Sequence, residues 1–176
     1  MSVCYMMVGV PGSGKSSSIE QLKSEMPHLK SVSTDEYLDK IALKQGKKYN
    51  EVHRENVDDA TKWMNIQIKS FIKNKVDFIW DQTNVVQTSR LKKIRNLKAN
   101  GYEIIAITFE ITREELQKRL TRREKETGKY ISVKIVEKMI EEYVRPEYSE
   151  GFSTILLISD NGVPVEIPKN QNISKI

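Results

Sequence analysis

At 176 residues the chain is long enough to bury a sizeable core and short enough to be read as a single domain over 1–176. Lys and Arg number 29 against 24 Asp and Glu, and the resulting charge of +5 suits a phosphate-bearing substrate without selecting nucleic acid by itself. One cysteine, Cys4, excludes an internal disulfide and a cysteine-based metal site; no apolar run reaches the ~20 residues of a membrane span, and no signal peptide is expected, which points to a cytoplasmic protein.

Strand and helix patterns alternate along the chain. Val3 to Val8 is a short apolar run closed by Gly9, as in a strand buried on both faces, where Cys4 serves as a small hydrophobe. A helix is expected from Lys15 to Ser24, followed by a weak strand at Ser31-Val32-Ser33. Glu51 to Lys73 places Val57, Ala60, Met64, Ile68 and Phe71 at the three-and-four spacing of one helix face. Asp77 to Trp80 reads as a strand. Thr88 or Ser89 is expected to cap a helix that runs through Leu97 and stops at Asn100-Gly101.

Tyr102 to Phe109 is the clearest strand. Helices are predicted from Arg113 to Lys125 and from Val133 to Tyr143, the second capped by Ser132 and ended before Pro146. Ile155 to Ile158 gives a last core strand, and a turn signal at Asn161-Gly162 predicts a short hairpin or edge strand. The alternation implies an α/β fold, a mostly parallel sheet with helices on both faces. Trp63 and Trp80 are expected in the core, His53 beside the long helix's apolar face and His28 in a loop, with Lys92, Lys93, Arg95 and Lys98 as a polar face of a kind that could touch nucleic acid but usually does not.

The segment Gly9-Val10-Pro11-Gly12-Ser13-Gly14-Lys15-Ser16 has the spacing of a Walker A loop, placed between a strand and a helix as that motif requires. Glycines let consecutive N–H groups turn toward phosphates, and the positive end of the following helix points to the same place. Lys15 would reach the β- and γ-phosphates of ATP, and the Ser16 hydroxyl would hold Mg²⁺. Gly9, Gly12, Ser13, Gly14, Lys15, Ser16 and Ser17 are the loop residues expected on the nucleotide.

Two carboxylates follow strand ends, where open parallel sheets bind their ligands. Asp35, in Ser33-Thr34-Asp35-Glu36-Tyr37, could take the proton of an acceptor hydroxyl; Ser33 and Glu36 also have capping-box spacing, in which Asp35 would only favour the helix dipole. Asp81, in Asp81-Gln82-Thr83-Asn84, could hold a metal-bound water or fix Ser16, or could simply form an Asx-turn. On the basic helix, at about 100° per residue, Arg123 lies about 20° and Arg119 about 60° from Leu116, so both flank the buried side while Arg122 points away. Such arginines could close over ATP and neutralise the migrating phosphoryl group, with residues 113–132 as a lid and the stretch from Lys125 to Lys129 as its tip.

Together these segments resemble the P-loop kinase family of phage and RNA-repair polynucleotide 5′-kinases, over roughly residues 1–150. The resemblance implies an adenylate-kinase-like fold with a tunnel to the acceptor hydroxyl, Asp35 as general base, Lys15 and Arg123 as phosphate-stabilising cations, and Asp81 as a supporting carboxylate near the metal and loop. It also implies a DNA or RNA end as the acceptor partner. Two departures stand out: the arginine that family members carry shortly after the tyrosine to grip an acceptor phosphate is here Leu38, with Lys40 the nearest cation, and no phosphatase domain follows, so no 3′-end repair is expected. A kinase of another hydroxyl, such as a hydroxymethylated base, a nucleoside or a small metabolite, and a non-catalytic ATP-binding module are the competing expectations.

Overall fold

The computed structural model describes residues 1–159 and 162–169, so Asn161 of the expected turn lies outside the described residues. Its elements are β1 (Ser2–Val8), α1 (Lys15–Glu25), β2 (Lys30–Val32), α2 (Thr34–Gln45), α3 (Tyr49–Lys73), β3 (Phe78–Trp80), α4 (Gln87–Ala99), β4 (Tyr102–Phe109), α5 (Arg113–Thr127), α6 (Val133–Glu141), β5 (Thr154–Ile158) and β6 (Pro164–Glu166), with a 3-10 turn at Tyr148–Glu150. The strands form one sheet in the order β2-β3-β1-β4-β5-β6. Its first five strands run parallel, Cys4 lying opposite both Phe78 and Ile104, and β6 closes the edge antiparallel to β5.

The parallel strands are apolar on both faces because helices cover both. On one side α3 and α4 set Met64, Ile68, Ile72, Ile94 and Leu97 against Cys4, Met6, Phe78, Trp80 and Ile104. On the other, Ile19 and Leu22 of α1 pack on Met7, Ile79, Ile107 and Phe109. A smaller cluster of Val10, Val85, Leu116 and Val136 joins the base of α5 and α6 to the body of the protein.

The expected strands and most helices are found, with three corrections. Residues 34–45, read only as a helix start, form the three-turn α2: Ser33 Oγ accepts from the Glu36 N–H and Gly46 closes the helix at φ 63°. Neither Thr88 nor Ser89 caps α4, which begins at Gln87 after Val86 and has no side-chain cap. Trp63 is only half buried, against the Tyr37 ring and with Lys40 Nζ 5.3 Å from its centre, whereas Trp80 is core as expected.

Arg90 was not anticipated. On α4 it lies on the same stripe as Ile94 and Leu97, and its side chain is 0% exposed beside the 1% exposed Glu150. Nε donates to Glu150 Oε2 at 2.9 Å and Nη2 to Oε1 at 2.6 Å, while Nη1 donates to the carbonyls of Asn84 and Val85 at 2.9 and 3.0 Å. Breaking one side of such a buried pair strands a charge. Glu150→Gln should therefore cost about 3–5 kcal/mol, read as a lower urea midpoint at unchanged slope.

Candidate nucleotide and phosphoryl-transfer site

The C-terminal ends of β1, β2 and β3 and the start of α1 meet where the strand order reverses around β1. The Gly9 N–H donates to Thr83 O at 2.8 Å, so the glycine loop is pinned to the segment leaving β3. Asn84, at φ 47°, donates from Nδ2 to Met7 O at 2.8 Å, tying that segment back to β1. Lys93 donates to Gln82 Oε1 at 2.7 Å and to Asn84 Oδ1 at 2.5 Å, with Nζ 5.0 Å from the centre of the Trp80 ring. Burial lowers its ammonium to about 8. Lys93 thus braces the strand end and is turned inward from the polar face on which it was expected.

In the loop itself, Gly12 and Gly14 adopt φ 84° and 112°, conformations that side chains resist. A Cβ on Gly9 would lie 2.6 Å from Ser13 Oγ, and one on Gly12 would meet Leu116 at 3.0 Å and Leu120 at 3.1 Å. α1 begins at Lys15, and Gly14 before it offers no side-chain cap, leaving the first amides open to an anion. Among the described residues, Ser13 Oγ is the buried side-chain polar atom without a hydrogen-bond partner. Lys15 Nζ donates to Gly9 O and Val10 O at 2.9 Å each, folded back over the loop. Open amides, an orphaned hydroxyl and a cradle that admits no side chain together fit a phosphate chain.

Lys15, Asp81, Asp35 and Arg123 are electrostatic neighbours. Burial lowers the Lys15 ammonium to about 8, opposed by Asp81 and Asp35 and reinforced by Arg123. Burial raises the Asp81 carboxyl, against the pull of Lys15, with Asp35 adding to the rise and Arg123 and Lys23 opposing it. Asp35 Oδ2 faces Arg123 Nη2 at 3.6 Å, both side chains being partly exposed. Ser16 and Ser17 stand exposed at the start of α1. No group of three His, Cys, Asp or Glu side chains comes together among the described residues, so a cation at Ser16 and Asp81 would draw its other ligands from phosphate and water.

α5 lies over the glycine loop. Arg119 Nε donates to Glu115 Oε1 at 2.8 Å, and its Nη1 is 3.5 Å from where a Gly14 Cβ would sit. The helix ends at Gly128, φ 68°, and its tip reaches the far side of the cleft: Asn50 Nδ2 donates to Gly128 O at 3.2 Å, and Lys129 pairs with Asp39 at 2.7 Å. Arg122 is exposed and turned away, as its position on the helix predicts. Leu38 is 0% exposed in the α2 core, and Lys40 is engaged by Glu36 at 2.8 Å. Two features of the cleft escaped sequence reasoning: the pairing of Lys129, at the lid tip, with a partner 90 residues away, and Tyr49, whose hydroxyl donates to Asp35 Oδ1 at 2.6 Å.

A family model described as an AAA domain matches residues 5–146. The chain belongs to that family. Solved structures similar to this AAA-domain chain share its fold. One, from the PezAT chromosomal toxin–antitoxin system of Streptococcus pneumoniae, has a TM-score of 0.70 at 15% identity, over 94% of this chain and 70% of its own. A candidate kinase from Chloroflexus aurantiacus has a TM-score of 0.67 at 16% identity, over 90% and 85%. A chain of the Pnkp1/Rnl/Hen1 RNA repair complex has a TM-score of 0.64 at 23% identity, over 99% of this AAA-domain chain and 51% of its own length. The fold common to all is the P-loop nucleotide-binding α/β fold. Among the described residues, no helix is long and apolar enough to cross a membrane.

Proposed function

We propose that the protein is an ATP-dependent phosphotransferase that moves the γ-phosphate to a 5′-hydroxyl of DNA or RNA. The observation that carries this reading is that Asp35 faces Arg123 at 3.6 Å, with Lys15 and Asp81 near enough for the four charges to act on one another. A module that only bound nucleotide would have no use for a carboxylate and an arginine facing each other there. The polynucleotide acceptor rests on the sequence resemblance and on the shared fold with a chain of an RNA repair complex.

Phosphoryl transfer needs positioning and charge more than covalent help from the protein. The first amides of α1 and the Ser13 hydroxyl hold the phosphates, with Gly9, Gly12 and Gly14 shaping the turn and Ser17 and Arg119 flanking the nucleotide. Lys15 exchanges its bonds to Gly9 O and Val10 O for phosphate oxygens. Ser16 and Asp81 would hold Mg²⁺, which when bound draws negative charge from the phosphates. Asp35 accepts the proton of the acceptor hydroxyl as that oxygen bonds to the γ-phosphorus; the bond to the bridging oxygen breaks and its electron pair leaves on ADP. Arg123 turns from Asp35 toward the transferring group and neutralises its charge.

Because Leu38 is core, no cation reaches an acceptor phosphate from that position. An oligonucleotide without a 3′-phosphate should accept label as well as one carrying it, within about twofold (RT ln 2 is ~0.4 kcal/mol, below a typical charge-assisted contact). The test is transfer from γ-labelled ATP to single-stranded oligonucleotides, nucleosides and duplex DNA bearing hydroxymethylated bases. Label at the 5′-end supports the proposal. Label within the strand or on a nucleoside moves the acceptor to another hydroxyl, and ATP binding without transfer to any of them removes the kinase reading.

A further inference from the structure

Tyr49 opens α3, and its side chain reaches from there to Asp35 in the first turn of α2. Its hydroxyl donates to Asp35 Oδ1 at 2.6 Å, a short charge-assisted bond. The other oxygen, Oδ2, faces Arg123 Nη2 at the longer distance of 3.6 Å. The phenol ring has two neighbours, Lys129 Nζ 4.4 Å from its centre and the His53 ring at 5.6 Å between centroids.

Resting on the phosphotransfer reading, we infer that Tyr49 is the positioning residue for the Asp35 base: it pins one carboxylate oxygen so that the other is presented to the acceptor hydroxyl. A carboxylate turns readily about its last bond, so a hydrogen bond that fixes Oδ1 also fixes the direction in which Oδ2 offers its lone pairs. Holding Oδ1 removes that freedom without touching the reacting atoms. Tyr49 cannot itself be the base, because burial, then the Asp35 charge and its hydrogen bond, push the phenol well above its ordinary range, so the hydroxyl keeps its proton and remains a donor. Charged groups around the pair come from each element packed there: Arg123 on α5, Lys129 after it, Asp39 on α2, Lys15 on α1 and Asp81 after β3. The contact also joins base and lid, since Lys129 and Gly128 are held by Asp39 and Asn50 beside the same ring.

Tyr49→Phe keeps the ring and its contacts and removes only the donor. Steady-state and single-turnover transfer should show kcat roughly tenfold lower, the cost of one charge-assisted hydrogen bond in the transition state, with KM for ATP unchanged and an unaltered melting temperature. In the Asp35→Asn background, single-turnover rates measured at high enzyme concentration should show no further loss from Tyr49→Phe, because the two side chains act as one unit. An active wild type with a Tyr49→Phe variant of equal kcat overturns the Tyr49 assignment alone. So does a rate loss accompanied by an equal rise in KM for ATP or a lowered melting temperature, which marks a structural role, and so does a full tenfold loss retained in the double variant. A wild type that phosphorylates no acceptor overturns the phosphotransfer reading and the base role with it, so the two failures are told apart by the wild-type assay.

Discussion

Asp35→Asn should lower phosphoryl transfer by on the order of 10³ while leaving ATP affinity within about twofold of the wild type, as befits a group that acts on the acceptor proton. The amide is isosteric and can still accept the 2.6 Å bond from Tyr49, so the fold of the α2–α3 hairpin survives the exchange. What disappears is the basic oxygen and the charge that pairs with Arg123. Nucleotide binding measured by calorimetry, beside single-turnover transfer from labelled ATP, separates the two effects. Undiminished turnover in the variant would remove Asp35 from the base role and leave only its place at the start of α2.

A comparable loss is expected for Arg123→Ala, again on the order of 10³, by analogy with arginines that neutralise a transferring phosphoryl group. Here the ground state and the transition state place different demands on one side chain. At rest the guanidinium faces Asp35 at 3.6 Å, too far for a strong hydrogen bond, so little is lost when it swings to the phosphoryl oxygens. Lysine at this position should recover less than a tenth of the lost rate, because a point charge lacks the planar fork that meets two oxygens at once. A variant that loses ATP affinity in proportion to rate would instead make Arg123 a ground-state binder.

The sheet and the glycine loop were legible because each rests on a strong local signal: continuous apolar runs for strands flanked by helices, and a spacing that few other structures require. The inward tilt of Arg119 and Arg123 was legible too, since helical geometry alone relates them to Leu116. α2 was harder. It buries only Leu38 and Ala42, so no long apolar stripe announces it, and Ser33 with Glu36 marks where it begins but not that it continues. The start of α4 misled because Thr88 and Ser89 are good caps that the structure leaves exposed inside the first turn.

Lys93 and Arg90 show the limit of reading charge as surface. A cation at the same helical phase as Ile94 and Leu97 signals a buried partner, but which partner depends on the path of a chain some 60 residues on. Tyr49 and Lys129 were beyond reach for the same reason: their roles exist only once the α2–α3 hairpin and the end of α5 have met across the cleft.

The Arg90–Glu150 pair ties the wall of the glycine loop to a distant part of the chain. Its guanidinium holds the carbonyls of Asn84 and Val85, next to Thr83, whose own carbonyl accepts from the Gly9 N–H. The counter-ion, Glu150, stands four residues before the strand Thr154–Ile158 that docks on β4. A polypeptide truncated before residue 150 would therefore bury that cation unpaired and leave the phosphate loop without its brace.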